Sequence, residues 1–132
     1  GYLSANFGST IYNWTNMPNS LSGYNTDVET LMYHCGVSID IMYGVSSTSG
    51  YSAKIPAALK NYFKYVPTAS AKSRSAYTNP ADWEALIKNE IDNNRPTTYG
   101  GYGPAGGHEF VCDGYDASVA SNYFHFNCFF FA

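Results

Sequence analysis

The sequence is poor in charged residues, and it contains no long apolar run. Charged side chains make up 13% of its 132 residues and the formal net charge is -3, so it lacks the clustered Lys and Arg of a nucleic-acid-binding surface. No stretch approaches the roughly 18 apolar residues that a membrane-spanning helix needs. Neither nucleic acid nor a membrane is therefore expected as a partner, and the length suits one domain.

Cysteine is also scarce, with Cys35, Cys112 and Cys128 the three present. They cannot all pair within one chain, and their spacings match neither a zinc site nor a CxxC redox motif. A disulfide framework, a metal and a cofactor are therefore not expected. Cys112 alternates with Phe110 and Gly114, which favours a small buried hydrophobic residue over a reactive thiol.

Aromatic residues, by contrast, are abundant. They make up 17% of the chain and include 13 Tyr and 8 Phe. Together with many Ser, Asn, Gly and Thr residues, this composition favours an extracytoplasmic protein. The aromatic side chains belong either to a core with loop anchors or to a surface that grips peptide or glycan.

The spacing of apolar residues predicts three helices in the first two thirds of the chain. The first runs from 26 to about 38, where Asn25 or Thr26 can cap its start and Gly36 can end it. The second carries Pro56 in its first turn and apolar residues on one face. The third begins where Asn79 can cap the helix and Pro80 can take the first helical position.

Alternating patterns predict strands, mostly in the last third of the chain. Three strands are expected over 97–102, 109–115 and 123–127, joined as an antiparallel meander. A shorter alternating run at 39–43 predicts another strand, and the Gly- and Ser-rich stretch 44–50 predicts a flexible loop. Because helices come first and the meander last, the sequence indicates an α+β fold.

The strongest candidate for chemistry is His108. The stretch 100–107, which ends in Gly106 and Gly107, lacks bulky side chains except tyrosine and would leave an open approach for substrate. Asn127 on the next strand could orient the imidazole, as Asn does in Cys-His-Asn proteases. Taken singly, each residue also fits a structural role, His108 as a satisfied strand histidine and Asn127 as a strand-end residue.

No cysteine of this sequence fits as the nucleophile for that histidine. Cys35 lies near the C-terminal end of a helix, where the helix dipole would raise its pKa. Cys112 lies four residues beyond His108 on the same strand, roughly 13 Å away, and the third cysteine has no supporting context. His34 is adjacent to Cys35 on a helix and cannot form a dyad with it; His125 is expected to be structural.

Four segments form an ordered set of motifs that covers nearly the whole chain. They are YNWTNMP at 12–18, LMYHCGVSIDIMYG at 31–44, DWE at 82–84, and GGH at 106–108 followed by DG at 113–114. In this order they resemble the streptopain family of papain-like cysteine peptidases. The last two blocks are specific to that pattern, whereas the first alone would not be.

The resemblance implies a cysteine endopeptidase with a papain-like α+β fold, present as a single partial domain. Loop and helices would occupy 1–95, and strands would occupy 96–132. His108 matches the catalytic histidine of the family, and Asn127 matches the asparagine next to it. The residues expected to contact substrate are Ser46, Ser47, Ser49, Gly106 and Gly107.

The chain also departs from the family pattern in two places. The family nucleophile belongs to a Gly-Cys-x-Ala-Thr segment at the head of a helix, which this sequence does not contain. After Asn127 similar proteins continue with Trp-Gly-Trp-Gly, whereas this chain reads Cys-Phe-Phe-Phe-Ala. The chain is therefore expected to be a fragment that is inactive alone.

The partners that the resemblance implies are a protein or peptide substrate and a missing N-terminal segment or propeptide. It also implies a bacterial protein that is secreted or extracytoplasmic. The alternative from another functional class is a catalytically dead module that binds peptide or glycan through its tyrosines. A Gly-Cys-x-Ala-Thr segment upstream in the parent gene would count against that alternative.

Overall fold

The computed structural model describes residues 2–104, 106–118 and 123–127. In these residues, three helices and two antiparallel sheets form the α+β fold that the sequence predicted. Residue contacts divide the chain into two compact units, Gly1–Ala71 and Lys72–Ala132. We call them the N-terminal unit and the C-terminal unit.

The N-terminal unit contains two helices and a short hairpin. Helix α1 spans Thr26–Ser38, as predicted, and helix α2 spans Ile55–Tyr62 with Pro56 in its first turn, also as predicted. Between them, strand β1 (Met42–Tyr43) pairs antiparallel with strand β2 (Thr48–Ser49). The stretch 44–50, predicted as a flexible loop, therefore contains a strand of its own.

The C-terminal unit contains helix α3 and a three-stranded sheet. Helix α3 spans Pro80–Asp92. The sheet consists of β3 (Thr97–Gly103), β4 (Gly106–Asp116) and β5 (Tyr123–Asn127), with β4 in the centre. Both strand pairs are antiparallel, which confirms the predicted meander.

Asparagine side chains cap the N-termini of α1 and α3, as the sequence predicted. The amide oxygen of Asn25 accepts a hydrogen bond from the Val28 amide at 3.0 Å. The amide oxygen of Asn79 accepts one from the Ala81 amide at 3.1 Å. Pro80 takes the first position of α3, where its missing N–H leaves no intrahelical bond unmade.

Helix α1 keeps its predicted bounds and continues past Gly36 to Ser38, so the expectation that Gly36 ends the helix was wrong. It ends with Asp40 in the left-handed conformation, at φ 51°. The Asp40 amide donates to the Val37 carbonyl at 3.1 Å and the Ile41 amide donates to the Gly36 carbonyl at 3.0 Å, which is the Schellman pattern. Because this turn uses Asp40 and Ile41, the strand predicted from residue 39 shrinks to β1.

Gly36 is buried inside α1, where it makes room for a side chain of the hairpin. A Cβ atom at Gly36 would lie 2.1 Å from the Tyr43 hydroxyl and 3.0 Å from the Cγ2 atom of Ile41. The first distance is far shorter than van der Waals contact, and the second is tighter than ordinary contact. The absence of a side chain at Gly36 therefore allows β1 to pack against α1.

The methyl group of Gly36→Ala collides with Tyr43, at a cost of about 1–3 kcal/mol. Alanine returns about 1 kcal/mol in helix propensity, so the free energy of unfolding is expected to fall by up to about 2 kcal/mol. Urea denaturation followed by circular dichroism measures the difference. In a Tyr43→Phe background, which lacks the colliding hydroxyl, the loss should shrink; a stabilised Gly36→Ala variant would contradict this packing.

Aromatic side chains pack around a buried histidine in the N-terminal unit. His34 is 7% exposed, and its Nδ1 atom lies 2.8 Å from the hydroxyl of Tyr12. The ring of Phe7 lies against His34 and stacks on Tyr62, with ring centroids 4.4 Å apart in the latter pair. His34 therefore anchors the irregular N-terminal segment to α1.

A second aromatic cluster joins α3 to one face of the sheet. The indole nitrogen of Trp83 donates to the Tyr99 hydroxyl at 2.9 Å. Tyr99 stacks on its cross-strand neighbour Phe110, and the Phe126 ring meets both edge-on. Cys112 is fully buried, as the alternation on this strand predicted.

Candidate active site

His108 lies on β4 in the C-terminal unit, directly opposite Gly101 of β3. Its neighbours Phe110 and Cys112 share its face of the sheet, because side chains alternate along a strand. The face that carries His108 is thus the one that also carries the aromatic cluster. The His108 residue is exposed, so a substrate or a nucleophile can approach it from solvent.

The glycine-rich stretch before His108 is structured, which differs from the open approach that the sequence suggested. Its first part pairs with β4, and Gly103 pairs with Gly106 at the end of the hairpin. Gly106 has a φ of 114°, which residues with a Cβ atom rarely adopt. The ring of Tyr102 lies over Gly107, where a Cβ atom would come within 2.4 Å of it.

Asn127 lies opposite Val111 in the β4–β5 register. Because paired residues share a face and side chains alternate, this register turns Asn127 to the face opposite His108. The amide nitrogen of Asn127 donates to the carboxylate of Asp113. Asn127 is thus bonded to Asp113 in the structure. That Asn127 orients the His108 ring stays a prediction.

Asp113 is the extra residue of a β-bulge in β4. The flanking residues are both paired, Cys112 with Phe126 and Gly114 with His125. A bulge of this kind bends the strand and redirects the side chain of the inserted residue. The Asp-Gly pair within a strand was the available sequence signal, because glycine inside a strand often marks a bulge.

The Asp113 carboxylate joins two side chains of β5. It accepts a hydrogen bond from Nδ1 of His125 at 2.6 Å and a second one from Asn127. The bond from His125 is the main cause that holds the pKa of Asp113 below its usual range. We call these three residues the Asp113 cluster.

The pKa of each of the two described cysteines, Cys35 and Cys112, is raised. Burial raises the pKa of the Cys35 thiol, although part of that residue reaches the surface of α1. Burial is also the main cause that raises the pKa of Cys112. Cys128 lies outside the described residues.

Alkylation by iodoacetamide at pH 7.5 is expected to be slower at Cys35 than at a cysteine of an unstructured peptide, and slower still at the fully buried Cys112. The reason is that thiolate is the reactive form and a raised pKa lowers its population. Mass spectrometry of tryptic peptides measures each rate. Urea should abolish the difference, and a native Cys35 rate above that of the peptide would contradict the prediction.

The serines predicted to contact substrate lie on the hairpin of the N-terminal unit. Ser46 and Ser47 occupy its turn, Ser49 lies in β2, and all three are exposed. Gly44 begins this turn at a point where a Cβ atom would lie 2.6 Å from the Ser47 carbonyl oxygen. The hydroxyl groups are therefore available to a ligand.

Within residues 2–104, 106–118 and 123–127, no three His, Cys, Asp or Glu side chains group as a metal site would require. In the same ranges, every helix is too short or too polar to cross a membrane.

Comparison with known proteins places this arrangement in a family. The sequence profile described as the Peptidase C10 family matches residues 1–129. The chain belongs to the peptidase C10 family. As a C10 chain it has a papain-like α+β fold, which the sequence motifs had indicated.

Two relatives give the extent of the similarity. The C10 chain is 38% identical to streptopain from Streptococcus pyogenes over 130 residues, which is 95% of this chain and 32% of streptopain. It is 31% identical to the thiol protease/hemagglutinin PrtT from Porphyromonas gingivalis over 131 residues, or 96% of this chain and 14% of that protein. The C10 chain thus spans about a third of the length of streptopain.

Proposed function

We propose that this chain supplies the general-base half of a cysteine endopeptidase, with His108 as the base. Membership of the C10 family supports this proposal, and the observation that carries it is the exposed position of His108 on β4. The raised pKa values of Cys35 and Cys112 disfavour their thiolates at neutral pH and so support a nucleophile supplied from elsewhere. The proposed nucleophilic cysteine belongs to a segment outside this sequence.

The proposed reaction follows the Cys-His pattern. The imidazole of His108 takes the proton of the thiol, and the thiolate attacks the carbonyl carbon of the scissile peptide bond. His108 then gives the proton to the leaving amine, and water hydrolyses the resulting thioester. Ser46, Ser47, Ser49, Gly106 and Gly107 are proposed to contact the peptide, on family resemblance and exposure.

Asn127 is proposed to be the residue that orients the His108 ring, again on family resemblance. In the present register Asn127 faces the other way. A one-residue shift of β5 along β4 would place Asn127 opposite Phe110 and on the face of His108. The proposal for Asn127 therefore requires that shift, whereas the proposal for His108 does not.

The family also supports a bacterial protein that acts outside the cytoplasm on protein substrates. An upstream segment or propeptide is proposed as a partner, because the chain matches only 32% of streptopain. These statements concern the whole protein and depend on the same proposal.

The 132-residue chain alone is expected to show no thiol-dependent hydrolysis of a fluorogenic peptide. A hybrid, in which this chain replaces the 130-residue matching region of streptopain, should show it, because the remainder of streptopain would supply the thiol. Hydrolysis by the chain alone that is lost on alkylation of its own cysteines would contradict the missing nucleophile. Saturable peptide or glycan binding without turnover in the hybrid would favour the binding module.

A further inference from the structure

The Asp113 cluster lies on the sheet face opposite His108. His125 and Asn127 are two residues apart on β5 and therefore share a face. Asp113 is the inserted residue of the bulge, and its side chain lies between those of His125 and Asn127, so it bonds to both. The Asp113 side chain is 33% exposed and that of His125 is 67% exposed, so the cluster borders solvent.

The chemistry of a carboxylate determines how its two partners are oriented. An ionised carboxylate only accepts hydrogen bonds, so the atom of each partner that faces it must carry a proton. His125 must therefore hold a proton on Nδ1, and Asn127 must turn its NH₂ group toward Asp113. When the imidazole is neutral, Nε2 of His125 and the amide oxygen of Asn127 are the acceptors that remain.

The same two bonds also oppose the one-residue shift of β5 that the proposed role of Asn127 beside His108 requires. A shift by one residue would turn both side chains to the other face of the sheet and would break both bonds to Asp113. The lowered pKa of Asp113 means that the carboxylate is ionised at neutral pH. The bonds are therefore in place under ordinary conditions.

We propose that Asp113 is a positioning residue, which selects the Nδ1–H tautomer of His125, the orientation of the Asn127 amide and the register that keeps Asn127 opposite Val111. Asp113 thereby holds Asn127 on the face away from His108. The relevance to peptide hydrolysis rests on the proposed function, because the bonds to Asp113 would have to break before Asn127 could orient His108. The positioning itself does not depend on that function.

Nitrogen-15 NMR of the full 132-residue chain at neutral pH tests the proposal. The neutral His125 ring should appear as the Nδ1–H tautomer, and cross-strand nuclear Overhauser effects should connect Asn127 with Val111. Asp113→Ala should abolish both signatures. Asp113→Asn keeps one acceptor oxygen and should preserve at most one of the two side-chain bonds.

Asp116→Ala is the matched control. Asp116 is the last residue of the same strand, and its carboxylate accepts from the Ser118 amide at 2.7 Å, so its removal should leave both signatures unchanged. An Nε2–H tautomer of His125 in the unmodified chain would overturn the proposal. So would an Asp113→Ala variant that keeps the tautomer and the register.

A pH titration of the unmodified chain decides the matter if Asp113→Ala does not fold. Since the folded pKa of Asp113 is lowered, its bonds should persist above the ordinary carboxyl value of about 3.9 and disappear as the pH falls through the folded value. The Asn127 NH₂ resonances should shift at a pH below the ordinary carboxyl pKa. A shift centred above the ordinary carboxyl pKa would overturn the proposal. Loss of hydrolysis in the hybrid with these signatures intact would count against the peptidase function alone.

Discussion

His108→Ala is expected to reduce kcat/KM of the hybrid peptidase by about 100-fold to 10,000-fold, the usual contribution of a positioned general base. The loss arises because no other group would take the proton from the thiol. Initial rates of fluorogenic peptide hydrolysis across a range of substrate concentrations measure it. Because the base acts in the chemical step, the fall should appear mainly in kcat.

Two further variants separate a base from a structural residue at this position. His108→Gln keeps a polar side chain that can form hydrogen bonds but cannot accept the thiol proton at neutral pH, and it should be nearly as inactive as alanine. Asp116→Ala, at the far end of the same strand, should keep the activity of the unmodified hybrid. Hydrolysis by His108→Ala at the unmodified rate would show that His108 is not the base.

Trp83→Ala is expected to produce the largest loss of stability in the C-terminal unit, about 3 kcal/mol. Trp83 packs its indole ring against Tyr77 and Tyr99, with centroids 5.2 and 5.9 Å away. It also donates the hydrogen bond that joins α3 to β3. Removing the side chain would leave a cavity and an unpaired hydroxyl between helix and sheet.

The matched variant Trp83→Phe keeps an aromatic ring but loses the donor to Tyr99. It should therefore lower the free energy of unfolding by less than Trp83→Ala does. Tyr99→Phe removes the acceptor of the same bond and should cost about 1 kcal/mol. Urea denaturation followed by far-ultraviolet circular dichroism compares the three variants. Equal losses for Trp83→Ala and Trp83→Phe would show that the hydrogen bond, and not the packing, stabilises this junction.

The helices of this protein could be predicted because their signals are local. Asn79 and Pro80 define the start of α3 within consecutive residues, and Asn25 does the same for α1. The end of α1 could not be predicted in the same way. Gly36 looked like a helix end, but the packing of Tyr43 requires a glycine within the helix, and Asp40 makes the turn.

Of the candidate site, only the features with local sequence signals could be predicted. His108 could be placed on a strand from alternation and from the two glycines before it. The hydrogen-bond partner of Asn127 could not be predicted, because it depends on the pairing between β4 and β5. The bulge at Asp113 shifts that pairing; the Asp-Gly pair could signal a bulge, but not which residues of β5 it would bring to Asp113.

The amino-acid sequence by itself determined the α+β fold class, the order of helices and strands, the family motifs and the candidate His108. These features arise from local propensity, periodicity and spacing. Only the tertiary structure decided that Asn127 bonds to Asp113 and that its face is opposite that of His108. Cross-strand register is set by hydrogen bonds between distant residues, and one inserted residue is enough to change which side chains meet.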